Sequence, residues 1–375
     1  MTIPSYRSEE DEEDKLMGRI EIQKMYPDLL AQLVAYAHRE AKRLYSDLRK
    51  VKDTASKLIK NGLLRFVPVD KRIILPGSVC GVDGSFYITR SLGHRFLGLI
   101  GLSLVFFDKG LESIRHPEIN VHVFVERIKE ELGIDPEKVV ITNMLLRESM
   151  LINEASQKGA RLIFIDGPII DPPDLIDKEY VRKRVDNLVE SLRRETIIVG
   201  IVKRFNSSVI ASMSSIKHDL TDQDVVPVLF NTIYKLGKFP LEVGLFTNPI
   251  LIAEENGERL SSAFKVYASE FSKKGYEFRI WTSFAQAGYA HRPFRVEILA
   301  SDDEDIHAIL QYIFQWISPG MSIPLPIYLA HYSCLIRKRA AQLVFSEALS
   351  RLASLVGEED DLLNIRNLIH FGETS

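Results

Sequence analysis

The chain has 375 residues, 48 Lys+Arg against 51 Asp+Glu, 46% hydrophobic residues and two cysteines. At about 150 residues per domain, this length predicts two to three domains or one large core with appendages, able to fold without covalent staples. Cys80 and Cys334 exclude a disulfide framework or an all-cysteine zinc site. A net charge of −3 excludes a global pull towards polyanions, so any such partner must be met by a local basic surface.

The opening stretch, MTIPSYRSEEDEEDKL, is acidic and has neither the basic start nor the apolar core of a secretory signal. The longest near-continuous apolar run, Phe96 to Phe107, is interrupted by glycines and falls short of the roughly 20 residues of a membrane span. A soluble, cytoplasmic protein is expected. Residues 1 to about 14 read as an acidic tail. From Lys15 to about Lys60 good helix formers dominate, with Leu29, Leu30, Leu33 and Val34 at helical spacing, predicting one or two long helices. Their charged faces are either simply solvated or part of a coiled-coil or dimer arm.

The texture changes near Arg72. Val79 to Phe86 and Phe96 to Phe107 read as strands of a hairpin or meander, with a further short strand around His122, Phe124 and Val125. A helix is expected from about Pro136 to Lys158, stopped by Gly159. Leu162-Ile163-Phe164-Ile165 is a short continuous apolar run, the mark of a strand buried on both faces. A charged helix at about 178–194 and a second buried strand at 196–202 follow. Between 206 and 300 the sequence suggests a helix near 222–236 and short strands around 241–246, 263–269, 277–284 and 293–300. Pro324 and Pro326 then precede one long helix to about Leu355. This order predicts an α/β protein with a mixed sheet. It divides into an N-terminal tail and helical arm at 1–70, a core at 71–355 with an insertion at about 206–290, and a C-terminal tail at 356–375.

Four polar residues sit where apolar ones are expected. Glu148 lies on the helical stripe formed by Met144, Leu145, Leu151, Ile152 and Ala155, where a carboxylate is costly unless paired or bound to a cation. A buried Glu–Arg or Glu–Lys pair is the alternative. Glu154 falls off the stripe, onto the surface. Asp166 ends the buried run and precedes Gly-Pro; Asp83 ends a strand and precedes Gly84. Either is a site residue or a turn-forming aspartate. His331 is surrounded by Ile327, Tyr328, Cys334 and Leu335 at helical spacing. Three carboxylates and one imidazole suit Mg²⁺ or Mn²⁺ better than zinc. Two such ions about 4 Å apart can activate water and stabilise a leaving oxygen in phosphodiester hydrolysis. Lys203 and Arg204, at a strand end, and Arg337, Lys338 and Arg339, in a basic helical turn, are candidate phosphate contacts or plain solvated surface.

These residues resemble the NurA family of archaeal and bacterial nucleases. The resemblance is carried by Gly-Val-Asp-Gly-Ser at 81–85, Arg-Glu at 147–148, Phe-Ile-Asp-Gly-Pro at 164–168, Val-Lys-Arg at 202–204 and Pro-Leu-Pro-Ile-Tyr-Leu-Ala-His at 324–331. It implies an RNase H-like core flanked by helices, with Asp83, Glu148, Asp166 and His331 binding manganese or magnesium. It also implies 5′ to 3′ exonuclease and single-strand endonuclease action on DNA. Further implications are a homodimer enclosing a DNA channel, docking on the hexameric ATPase HerA, and a place in end resection beside Mre11–Rad50. Family members often carry a tyrosine eight residues before this histidine, where this chain has Ile323. His291 is the rival fourth ligand. Two other readings stay open: another RNase H-like nuclease, such as a slicer or resolvase, and a non-catalytic DNA-gripping adaptor of a motor ATPase.

Overall fold

The structure, a computed structural model, describes residues 27–70, 72, 73, 75, 77–91, 95–129, 135–171, 178–205, 207–213, 220–252, 261–301 and 304–355. Both expected tails and the first part of the expected arm lie outside the described residues. The strands are β1 (Phe66–Pro68), β2 (Ser78–Ser91), β3 (Arg95–Phe107), β4 (Glu118–Lys129), β5 (Ala160–Asp166), β6 (Ile197–Val202), β7 (Leu245–Thr247), β8 (Ile250–Ile252), β9 (Ile280–Gln286) and β10 (Phe294–Leu299). The α-helices are α1 (Pro27–Lys60), α2 (Pro136–Gln157), α3 (Lys178–Leu192), α4 (Val209–Met213), α5 (Asp222–Lys235), α6 (Ser261–Lys273), α7 (Ile306–Ile313), α8 (Leu325–Cys334) and α9 (Lys338–Leu355).

The strands form one sheet in the order β1-β7-β9-β10-β6-β5-β2-β3-β4, with β8 paired to β9. β2, β3 and β4 are an antiparallel meander, in which Asp83 pairs with Ser103 and Ser103 with Val121. The chain then crosses through α2 to place β5 parallel to β2, and through α3 to place β6 parallel to β5. An antiparallel three-stranded unit followed by two parallel strands added beside its first strand is the RNase H-like arrangement. β6 is buried at every position, as its uninterrupted Ile-Ile-Val-Gly-Ile-Val requires of a central strand with helices on both faces. On one face Val82, Leu102, Ile163 and Ile165 pack with Met144, Ile152, Val185 and Leu188 of α2 and α3. On the other, Val79, Val105, Phe164 and Val199 pack with Ile309, Ile313, Ile327 and Ala330 of α7 and α8.

Local signals explain the helix ends. The Asp135 side chain accepts hydrogen bonds from the Glu137 and Lys138 N–H groups and Pro136 follows it, while Gly159 takes φ +89° after the last turn of α2. Two expectations fail. Residues 263–269 form part of helix α6: Ala263, Phe264, Tyr267 and Phe271 are buried at helical spacing, although Phe264, Val266 and Tyr267 are residue types that favour strands. The single helix expected up to Leu355 is two helices, α8 and α9, because the chain turns extended at Leu335 (φ −61°, ψ 111°). Helix α7 and the short β1, β8 and α4 were not legible in the sequence pattern. Among the described residues no helix is long and apolar enough to cross a membrane.

Candidate metal centre

β5 pairs with β2 only as far as Val82↔Ile165. One residue further on, Asp83 and Asp166 stand where the two strands part. This is the crevice at the carboxyl end of β5, where the strand order reverses; Asp83 does not end its strand as its Asp-Gly suggested, because β2 stays paired with β3 as far as Ser91. The flanking glycines of Gly81-Val82-Asp83-Gly84 let two helices close on Asp83. A Cβ at Gly81 would collide with the Pro326 backbone in the first turn of α8. A Cβ at Gly84 would lie 2.5 Å from Glu148 Oε1 and 2.9 Å from Met144 Cγ of α2. Ser85 completes the motif: its hydroxyl donates to the Cys334 carbonyl and accepts from the Ile336 N–H at 2.9 Å. This hydroxyl takes over backbone groups that a continuing helix would have used. It thus accounts for the break after α8 and ties the His331 helix to the Asp83 strand.

His331 Nδ1 lies 2.8 Å from Asp83 Oδ2 and 3.6 Å from Asp166 Oδ2. One ligand atom from each of Asp83, Asp166 and His331 falls within 4.8 Å of the others, a spacing one cation can bridge. Asp83 Oδ1 accepts from the Gly84 N–H at 2.8 Å. Lys203 Nζ sits 2.5 Å from Asp166 Oδ2, so a cation already approaches the cluster from the end of β6. Glu148, only 6% exposed, has no hydrogen-bond or ion-pair partner among the described residues. Burial first, and then the Asp83 charge, push its carboxyl well above the usual range, opposed by the Arg184 guanidinium. Asp83 is pushed up to about 6 by burial and by the Asp166 charge, against the pull of His331. Acids buried together without enough positive charge are a destabilising arrangement that a divalent cation relieves. The donors are carboxylate oxygens and one imidazole, with no thiolate, and they fit Mg²⁺ or Mn²⁺.

The other candidates are placed as follows. Arg204 is exposed beside Lys203. Arg337 lies in the break after α8 and Lys338 opens α9, so neither extends the His331 helix; both are exposed, as is Arg339. His291 lies away from the cluster, with its Nδ1 3.5 Å from the Ser322 hydroxyl. Glu154 is at the surface, paired with Lys158 at 3.0 Å.

Two buried pairs beneath the centre escaped the sequence reading. Arg184 and Asp171, 1% and 2% exposed, pair at 3.2 Å, and Tyr180 donates to Asp171 at 2.7 Å. Arg184 Nη1 also donates to the Leu145 carbonyl of α2 at 3.0 Å. The guanidinium expected of a Glu148–Arg pair therefore belongs to Asp171. On β10, Arg295 and Glu297 pair at 2.6 Å, and Glu297 accepts the Ile169 N–H at 2.8 Å, holding the loop that follows Asp166. The signal was available: Arg184 sits on the apolar stripe of Val181, Val185 and Leu188, and Glu297 interrupts an apolar strand, just as Glu148 interrupts its helix.

The NurA domain signature matches residues 77–332, more than half of the chain. No curated protein matches at a significant level. Among solved structures, the NurA nuclease from Sulfolobus solfataricus is similar over 89% of this chain and 99% of its own, with 14% identity and a TM-score of 0.59. Endonuclease V of Ciona intestinalis, solved with an inosine-containing DNA, aligns over 80% of this chain and 99% of its own at 12% identity and a TM-score of 0.35. A. aeolicus Argonaute aligns over 68% of this chain and 27% of its own at 10% identity and a TM-score of 0.30. From Ser78 at the start of β2 to His331 on α8, the matched span encloses the sheet core and every residue of the acidic cluster, and the chain belongs to the NurA nuclease family.

Proposed function

We propose that the protein is a Mn²⁺- or Mg²⁺-dependent deoxyribonuclease, acting as a 5′ to 3′ exonuclease and single-strand endonuclease in DNA end resection. The observation that carries this reading is the convergence of Asp83, Asp166 and His331 on one point, with Glu148 buried beside the same strand. Asp83, Glu148, Asp166 and His331 would hold two ions. Bound there, the ions supply Lewis acidity for hydrolysis of a phosphodiester. Asp83 presents its oxygens from within β2 and Asp166 from the end of β5, which fixes their separation more firmly than loops would. Ser85 and the Gly81 contact fix where His331 faces them. Lys203 and Arg204 leave the strand end beside Asp166 and are positioned to hold a phosphate, with Arg337 and Lys338 further along the same strand of DNA. The core at 71–355 carries this chemistry, with 206–290 as its elaboration.

Purified protein with end-labelled single- and double-stranded DNA tests the reading. Cleavage is expected only with Mn²⁺ or Mg²⁺, and Asp83→Ala or Asp166→Ala is expected to abolish it with circular dichroism unchanged. Normal turnover in Asp83→Ala overturns the assignment of that residue. Calorimetric titration with Mn²⁺ separates a nuclease from an adaptor that need not bind metal.

We further propose a cytoplasmic homodimer that encloses DNA and docks on a HerA-type hexameric ATPase, in the pathway of Mre11–Rad50. Helix α1 supports the dimer. Leu30, Val34, Ala37, Ala41, Leu44, Leu48, Val51, Ala55 and Leu58 recur at spacings of four and three, a coiled-coil seam. Val51, Ala55 and Leu58 are buried, with Ala55 and Leu58 packed in a cluster with α5 residues, while Val34, Leu44 and Leu48 are 62%, 60% and 42% exposed. The seam thus continues beyond what this chain covers, and a second copy of α1 is a suitable partner.

A further inference from the structure

Helix α8 has two distinct faces. Pro326, Ile327, Ala330 and Cys334 are buried against the sheet. Tyr328, His331 and Tyr332 fall at i, i+3 and i+4 on the other, where Tyr328 is 38% and Tyr332 56% exposed. The tyrosine rings lie together, their centroids 4.6 Å apart at 48°, and the Tyr332 ring meets the His331 ring edge-on at 5.8 Å. Two large aromatic rings are therefore left in water, touching a side chain of the acidic cluster. Immediately beyond them come the exposed cations Arg337, Lys338 and Arg339.

Aromatic rings exposed beside a phosphodiester site, with cations following, offer what a single DNA strand needs: π-faces for unstacked bases and positive charge for the backbone. A base inside a duplex is stacked on both sides and cannot use such a surface, whereas a base at a frayed end or in a single strand can. We propose that Tyr328 and Tyr332 are a stacking platform for one unpaired base of the DNA strand whose phosphate lies at Asp83, Asp166 and His331. This rests on the nuclease reading of that site and adds to it a selection for unpaired ends, made by residues that carry none of the metal.

The test uses the full chain, with Ca²⁺ in place of Mn²⁺, and fluorescence anisotropy of a labelled single-stranded 20-mer and of a blunt 20-base-pair duplex. Tyr328→Ala and Tyr332→Ala are each expected to weaken single-strand binding roughly ten-fold, the order of one lost base–aromatic stack. Duplex binding should move by less than about two-fold, and Tyr332→Phe should restore single-strand affinity, since the ring and not the hydroxyl is required. An abasic site next to the scissile phosphate should weaken the wild type and leave Tyr332→Ala unaffected. Equal losses on both DNAs, failure of Phe to rescue, or a change of oligomeric state with unaltered affinity would overturn the platform. Cleavage with Mn²⁺ is scored separately. Tyrosine-dependent binding without cleavage sinks the nuclease reading alone, and cleavage indifferent to both tyrosines sinks the platform alone.

Discussion

Glu148, buried beside the centre but outside the Asp83–Asp166–His331 group, shows what a single residue is proposed to contribute. Its carboxylate is buried at 6% exposure on an apolar helix, and the nearby guanidinium of Arg184 is engaged by Asp171. A buried charge without a partner costs several kcal/mol in principle, so burial favours the protonated form of this carboxyl and a bound cation would favour the ionised one. Glu148→Gln keeps the shape and removes the ionisable group. Its metal-free melting temperature should equal or exceed that of the wild type, while Mn²⁺ affinity by calorimetry should fall about ten-fold or more, as for loss of a metal-binding partner. Asp83 gives the pH dependence. The folded chain retains its proton up to about 6, whereas the unfolded chain releases it near 3.8. Between those values the folded state binds more protons, so this group's contribution to stability falls as pH rises through the window. A cation needs the ionised form and binds more tightly above it. Melting curves should show a larger Mn²⁺-induced rise at pH 7.5 than at pH 5, and Asp83→Asn should flatten both trends.

At the scale of elements, the Gly-Val-Asp-Gly-Ser segment acts as a packing device as much as a ligand carrier. Gly81 admits the backbone of α8 and Gly84 admits Glu148 of α2, each from its own face of β2. Gly81→Ala places a methyl group against main chain that cannot rotate away. It is expected to cost about 1–3 kcal/mol in chemical denaturation, typical of an overpacked core, and to weaken Mn²⁺ binding by moving His331. The loop after Asp166 depends similarly on Glu297, which accepts the Ile169 N–H and pairs with Arg295. Glu297→Met leaves Arg295 buried without its carboxylate, with the Ser207 hydroxyl its remaining side-chain partner among the described residues, and should destabilise by roughly 3–5 kcal/mol, whereas Arg295→Met with Glu297→Met should recover part of that loss. A double-mutant cycle on melting free energies checks this.

The whole molecule combines an RNase H-like core with an arm whose apolar seam is partly exposed, the basis of the proposed dimer. Leu44→Glu with Leu48→Glu alters only exposed positions, so the melting temperature of the body should hold within a few degrees. If the proposed dimer forms through α1, light scattering should then report a monomer for this variant and a dimer for the wild type. A dimer that survives both changes would move the interface elsewhere, and the exposed row of Ile119, Val121, Val123 and Val125 along the edge strand β4 would be the next surface to test.

Strand texture, helical spacing and caps are local, so consecutive residues alone showed a hairpin or meander, two buried strands and α2, while the pairing of a third strand into the meander and the parallel pairing came from the packed chain. The sequence by itself also marked Asp83, Glu148, Asp166 and His331, since each puts a polar group where its own element demands an apolar one. Local patterns misled where aromatic and β-branched residues filled α6 and where the turn after Cys334 depends on Ser85, some 249 positions away. Only the tertiary structure decided that His331 meets Asp83 across 248 positions, that Asp171 rather than Glu148 takes Arg184, and that Lys203 reaches Asp166. The reason is physical. Which charges are paired and which are left for a cation depends on distances set by how α2 and α8 close over the parting of β2 and β5, and no spacing along one strand or helix contains that distance.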